Sequence, residues 1–325
     1  MKTNIYITVD TETSIGGAFS NPLLKPVGKE KRIYGKIAGE HYGIPLIMDI
    51  ADSYGLKITF FVEVLNHYYF GKEDNYEVCQ YILKRGHDVQ LHLHPNYLNF
   101  KLDEPQKLIY SDNMYDYDLD TQVELIKEGK ELLKEFGVNN PVAFRAGNYG
   151  FNLDTLKALK ENSFLYDSSY SFTFCSNRKD FFNLFTNDVV NFNNIYEFPI
   201  TNFLPLIYKN SIRTRPLDIN AAGFDEMKKV LLWANDTKIK NITIIMHSFS
   251  FINSMDIQYA NCKPRKIIIS RFKKLCDFLS LNKFKYNVST FEKINMSELL
   301  NNQDFESFFK MPLFPTVKRM AEQLL

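Results

Sequence analysis

Asp10 and Glu12 leave the first apolar run of the chain as Val9-Asp10-Thr11-Glu12. In an extended segment, carboxylates at i and i+2 point to one side, about 7 Å apart at their Cα atoms. A carboxylate ending a strand often just caps the next helix, so the pair gains meaning only from its company. That company includes Gly86-His87-Asp88-Val89-Gln90-Leu91-His92-Leu93-His94-Pro95, in which His92 and His94 share one side and Leu91 and Leu93 take the other. Two imidazoles spaced in this way can present two nitrogen ligands to a divalent metal such as zinc. Of the chain's 6 histidines, half fall between positions 87 and 94, which favours a metal site over separately buried core histidines. His87 begins its run, at the end opposite His92, and reads as structural. In Phe144-Arg145-Ala146-Gly147-Asn148-Tyr149 the guanidinium needs a carboxylate or a substrate anion beside it, because it cannot shed its proton. Ile244-Ile245-Met246-His247 delivers a single imidazole at the end of another apolar run.

Each of these groups ends a segment that reads as a strand. The predicted strands are 4–10, 57–63, 88–92, 141–145, 164–166, 196–200, 241–246 and 284–289. Between them, apolar residues at helical spacing predict helices near 45–54, 75–85, 121–136, 152–161, 224–235 and 266–281, with Gly86 and Gly137 as stops. Strand alternating with helix predicts a mostly parallel sheet with helices outside it, and eight strand-like runs suit a barrel. Such folds carry their chemistry at the carboxyl ends of the strands. Two stretches, 96–119 and 201–223, fit neither pattern and read as long functional loops. Tyr and Asn in the first of them read first as an ordinary solvated loop, and otherwise suit sugar stacking and hydroxyl contacts. A short amphipathic segment from Val317 to Leu325 follows Pro312 and Pro315, and reads as a packing tail or as a partner or membrane-surface contact.

Composition narrows the partners. The 325 residues include 39 Lys and Arg against 38 Asp and Glu, a net charge of +1, which supplies no excess of cations for binding nucleic acid. With 45% hydrophobic residues, disorder is excluded. Phe (28) and Tyr (19) are abundant beside a single Trp, which reads as a compositional bias of the genome. Cys79, Cys175, Cys262 and Cys276 are scattered, with no C-x-x-C pair, and read as buried free thiols of a reducing compartment. No apolar run is long enough to span a bilayer, and Met1-Lys2-Thr3-Asn4 passes directly into the first strand, so cytoplasmic residence is expected.

These pieces, in this order, resemble the polysaccharide deacetylase family, the NodB-homology or carbohydrate esterase 4 group, over about residues 4–290. The resemblance implies an α/β fold, a distorted (β/α) barrel of seven or eight strands. It also implies a divalent metal, usually zinc, that serves to remove N-acetyl groups from amino sugars. Val9-Asp10-Thr11-Glu12 is similar to the family's first motif, which implies Asp10 as catalytic base and Glu12 as metal ligand. In the second motif Gly86-His87-Asp88 matches the lead-in and His92 the first ligand, but Asn96 stands where the second histidine is usual, so that His94 must replace it. Arg145 and Tyr149 match the third motif, in which the arginine orients the base. Tyr166-Asp167-Ser168-Ser169 and Glu197-Phe198-Pro199 resemble segments that follow in many members, the second lining the substrate groove. Tyr149, Asp167 and Glu197 are accordingly expected to bind substrate. His247 matches the last motif, the proton donor to the leaving amine.

The implied chemistry suits these residue types. A bound zinc lowers the pKa of its water toward roughly 7 and polarises the acyl carbonyl, Asp10 takes a proton, and His247 protonates the amine. The expected domains are a barrel over 1–295 and a helical extension over 296–325. The expected substrate is an acetylated or formylated amino sugar, free, nucleotide-linked or lipid-linked, in bacterial surface-polysaccharide biosynthesis. A catalytically silent relative that only binds sugar is the alternative. An amidohydrolase barrel also uses H-x-H, but there the pair ends the first strand, whereas here it ends the third.

Overall fold

The computed structural model describes residues 2–102, 108–175, 186–205, 214–296, 299 and 308–324. A curled sheet is built from β1 (Thr3–Thr11), β2 (Thr59–Glu63), β3 (Asp88–Leu93), β4 (Ala143–Ala146), β5 (Tyr166–Asp167), β6 (Val190–Phe192), β7 (Ile195–Glu197), β8 (Asn241–His247) and β9 (Tyr286–Ser289). Their spatial order is β8-β1-β2-β3-β4-β5-β7-β6, with β9 also paired to β1. All neighbouring pairs are parallel except β6 with β7. That hairpin turns on Asn193 and Asn194, both at positive φ (52° and 75°), the conformation a tight two-residue turn demands. The outer layer comprises α1 (Ile44–Ser53), α2 (Lys72–Lys84), α3 (Leu119–Glu135), α4 (Leu153–Glu161), α5 (Phe224–Asp236), α6 (Lys266–Leu281) and α7 (Leu313–Leu324).

Each of the eight predicted strands forms, and the sheet is the parallel, helix-covered one expected. It is a distorted barrel because its closure is irregular. The amino-terminal half of β1 pairs with β9 (Thr3 to Tyr6) and its carboxyl-terminal half with β2 (Thr8 to Thr11), leaving a seam. On the other side β8 is joined by single bridges, Ile200 to Thr243 and Asp218 to Ile245, rather than by a full ladder. The long stretches 96–119 and 201–223 contain more order than expected. Residues 95–101 and 114–116 form 3₁₀ turns, and 202–204 pairs with 215–216 and 309–310. Elements of two or three residues carry no periodicity from which a sequence could announce them. The parts of these stretches at 103–107 and 206–213, and of the extension at 300–307, lie outside the described residues.

Alternation along the strands sorts the interior. Ile5, Ile7 and Val9 of β1, Phe60 and Val62 of β2, and Leu91 and Leu93 of β3 join the large core under the helices. Tyr6, Phe61, Ala143, Tyr166 and Phe198 meet Phe291 in a second cluster inside the barrel. The Tyr6, Phe61 and Phe198 rings each lie 5.0–5.4 Å from Phe291, a tilted or edge-on aromatic plug that fills the barrel floor. Part of the Phe and Tyr abundance is therefore structural rather than only compositional. The same alternation turns Thr8 and Asp10 inward above the plug, with Arg145 over the Phe61 ring at 4.3 Å. Three of the cysteines are buried free thiols as expected, while Cys262 is half-buried.

Candidate metal and catalytic site

The carboxyl ends of β1, β3, β4 and β8 meet at the barrel mouth. Register explains the meeting: Asp10 pairs with His247 across β1 and β8, and His92 pairs with Arg145 across β3 and β4. Glu12, one residue past β1, places its Oε2 2.9 Å from His94 Nε2 and 3.3 Å from His92 Nε2. One ligand atom from each of Glu12, His92 and His94 lies within 4.8 Å of the other two.

The remaining ring nitrogens are both engaged. His92 Nδ1 donates to the Arg145 carbonyl oxygen at 2.8 Å, and His94 Nδ1 donates to Asp112 at 3.0 Å. Each bond fixes a ring and turns Nε2 toward Glu12, the outer support that metal-ligating histidines ordinarily have. Asp112 is itself held by Asn148 Nδ2 at 2.6 Å. Gly147 permits the packing, because a Cβ there would sit 2.6 Å from His94 Cε1. Asn148 and Tyr149 follow at φ 53° and 55°, a strained pair that curls the loop over the mouth. Two imidazoles, one carboxylate and an open side are a donor set that suits catalytic zinc.

Electrostatics agree with a cation-binding cluster. Burial alone would raise the Glu12 carboxyl, but His94, His92 and Arg32 outweigh it and hold it well below the usual carboxylate range. Arg32 donates to Glu12 Oε1 at 2.9 Å and stacks on Phe249, its guanidinium carbon 3.3 Å from the ring centroid. Beneath the cluster, Glu63 caps Leu65 N and Asn66 N, and burial pushes it up to about 8.

Arg145 is fully buried (0% exposed) and its donors are spent on Asp10 Oδ1 (2.5 Å), Thr8 Oγ1 (3.0 Å), and the Ser168 carbonyl and hydroxyl (2.9 Å each). The Asp10 carboxylate is thereby fixed on one oxygen. His247 is half-buried against Phe249, and the Asp218 carboxyl lies within electrostatic reach of it. Asp218 is raised by burial and by Asp10, and lowered by His247. Tyr149 stacks on Phe174 with centroids 4.8 Å apart, and burial together with Asp10 raises its phenol well above the usual value.

Two expected substrate contacts are corrected. Asp167 and Glu197 are 0% exposed and lie inside the protein, so neither lines a groove. They face each other: Glu197 Oε1 accepts Tyr170 N at 3.0 Å, and Asp167 Oδ1 accepts the Ser169 hydroxyl at 2.5 Å. Burial raises both, and their mutual repulsion raises Glu197 further, so that Glu197 keeps the proton and Asp167 is pushed up to about 6. Ser169 passes this support on to Ala146 N in the strand end that carries Arg145.

Asp112, Asp218, Arg32 and Glu63 were not singled out by the sequence. Asp112 and Asp218 fall in the two stretches without periodicity, and only their position in long polar loops marked them.

No protein-family model and no curated protein sequence matches the chain. Among solved structures it is similar to a proposed polysaccharide deacetylase from Mycobacterium smegmatis, with TM-score 0.54 and 15% identity, over 94% of this chain and 95% of that one. A family 4 carbohydrate esterase from Streptomyces lividans, in complex with acetate, aligns with TM-score 0.44 and 10% identity over 88% and 92% of the two chains. The first of these likenesses shows the fold: the chain has the distorted NodB-type barrel of the polysaccharide deacetylases.

Proposed function

We propose that this chain, with its deacetylase fold, is a metal-dependent hydrolase that removes an N-acyl group, acetyl or formyl, from an amino sugar destined for a surface polysaccharide. One juxtaposition carries the reading. Ligand atoms of Glu12, His92 and His94 converge within 4.8 Å, two residues along the chain from an Asp10 fixed by Arg145, with His247 in register beside it. A sugar-binding protein without catalysis has no need of all three devices at one mouth.

Zinc held by Glu12, His92 and His94 would act as a Lewis acid on the acyl carbonyl and make water acidic enough to attack at neutral pH. Asp10 accepts the proton of the attacking water. Arg145 aims that carboxylate, and its own burial against Phe61 and Ser168 prevents it from swinging away. His247 gives a proton to the departing amine, with the Asp218 carboxyl within electrostatic reach of it. Tyr149, stacked on Phe174, offers a rigid aromatic wall for the sugar ring. Glu197 and Asp167 support the arginine strand from inside. Free thiols at all four cysteines accord with action in the reducing cytoplasm. Residues 1–295 would form the catalytic barrel and 296–325 its helical extension.

The test is acetate or formate release by the purified chain, loaded with zinc or cobalt, from a panel of N-acylated amino sugars. Release that disappears in His92→Ala and His94→Ala, together with loss of about one bound metal per chain, is expected. Sugar binding with full metal content and no acid released from any substrate would replace this reading with the silent one.

A further inference from the structure

The terminal helix α7 lies on the barrel the wrong way round. At 100° per residue, Pro315, Thr316, Arg319 and Glu322 form one side, and Leu313, Phe314, Val317 and Met320 another. The first, polar side faces the protein. Arg319 Nε lies 3.0 Å from Glu226 Oε2, Thr316 donates to Glu226 Oε1 at 3.2 Å, and Arg271 Nη2 lies 3.1 Å from Glu322 Oε2. Glu226, Arg271 and Arg319 are all buried, so these contacts fix the helix by charge pairs out of water. The apolar side faces solvent, with Leu313 54%, Phe314 75%, Val317 50% and Met320 55% exposed. Rolling the helix over would bury those four side chains but separate Arg319 from Glu226 and Glu322 from Arg271, leaving buried charges without their counter-ions, a worse outcome. The outward apolar face is therefore imposed by the barrel surface.

We infer that α7 docks this protein in the plane of an anionic membrane surface, with Leu313, Phe314, Val317 and Met320 entering the headgroup boundary. The four side chains form the kind of narrow apolar stripe on which interfacial helices rely, and the charge around it chooses this occupant over a second copy. The charge around it is cationic. The stripe itself bears no acid and is bordered by Lys318, with Lys310 just before it and exposed Lys229 on the α5 helix against which it packs. Asp225, already paired to Lys318, and Asp236 are the acids of that helix left to oppose them once Glu226 is buried against Arg319. Beside the carboxyl-terminal half of α7, Arg265, Lys266 and Arg271 line the cleft that Glu322 borders.

The placement bears on substrate delivery. Arg271 holds Glu322 and also donates to the carbonyl oxygens of Ile219 and Asn220, in the turn that follows Asp218. A membrane bound by α7 thus lies on the flank of the barrel that forms the His247 side of the mouth, where a lipid-linked sugar would arrive. The docking inference does not depend on the proposed hydrolase activity.

Co-sedimentation of the full chain with phosphatidylcholine vesicles, with and without phosphatidylglycerol, tests it. The chain should sediment with the anionic vesicles, and the triple variant Phe314→Ser, Val317→Ser, Met320→Ser should lose at least about tenfold in partition while keeping its thermal midpoint and any turnover of soluble sugars. Failure of the native chain to bind anionic vesicles would overturn the inference. So would equal binding by the variant, or a concentration-dependent dimer in solution that the same substitutions dissolve.

Discussion

The His94 imidazole is suspended between two carboxylates, Nε2 2.9 Å from Glu12 and Nδ1 3.0 Å from Asp112. His92 follows the same plan, with the Arg145 carbonyl in place of Asp112. A histidine two positions after the first, rather than four, can thus be turned to the same cluster by a carboxylate from a separate loop.

Asp112→Asn should weaken zinc binding by about 10- to 100-fold, because the amide orients the ring less firmly and leaves it a poorer donor. Competition against a chromophoric chelator measures this directly, and the metal-free melting temperature should stay close to that of the parent. Unchanged affinity would remove Asp112 from the site.

Arg145→Ala should destabilise the fold by roughly 3–5 kcal/mol, since it leaves Asp10 buried without its cation and empties a fully enclosed volume. Urea denaturation reads the change. Arg145→Lys should keep much of the stability yet lose activity, because an ammonium cannot serve Asp10, Thr8 and Ser168 together.

The Asp167–Glu197 pair gives stability a pH dependence with a definite sign. Both groups are raised in the folded state, so the native protein binds more protons than the unfolded chain. Their contribution is whole below the ordinary carboxylate range and is lost as pH rises through about 6, where Asp167 ionises against Glu197. Denaturation midpoints should therefore fall between pH 5 and pH 8, and Glu197→Gln should flatten that fall. A steeper slope in the variant would contradict the shared-proton arrangement.

His247→Ala should lower kcat by about 10²- to 10⁴-fold while metal content is kept. If metal is lost as well, His247 belongs to the ligand cluster rather than to proton transfer.

Much of this site was legible in the order of residues alone. Strand periodicity is local, so Asp10, His92, Arg145 and His247 could be placed on inward-facing strand ends before any fold was known, and a mostly parallel sheet brings such ends together. Glu12 and His94 extended the same rule by one residue past each strand. The tertiary structure decided whatever depends on groups distant in sequence. Asp112 and Asp218 reach the mouth from loops in which no spacing repeats, so only closure of the barrel assigns them their histidines. Asp167 and Glu197 have the residue types of sugar contacts, yet neighbouring strands bury them against each other. The apolar periodicity of α7 was plain in the sequence, but which of its sides meets the barrel was settled by Glu226 and Arg271, buried charges on other helices that no local pattern could connect to it.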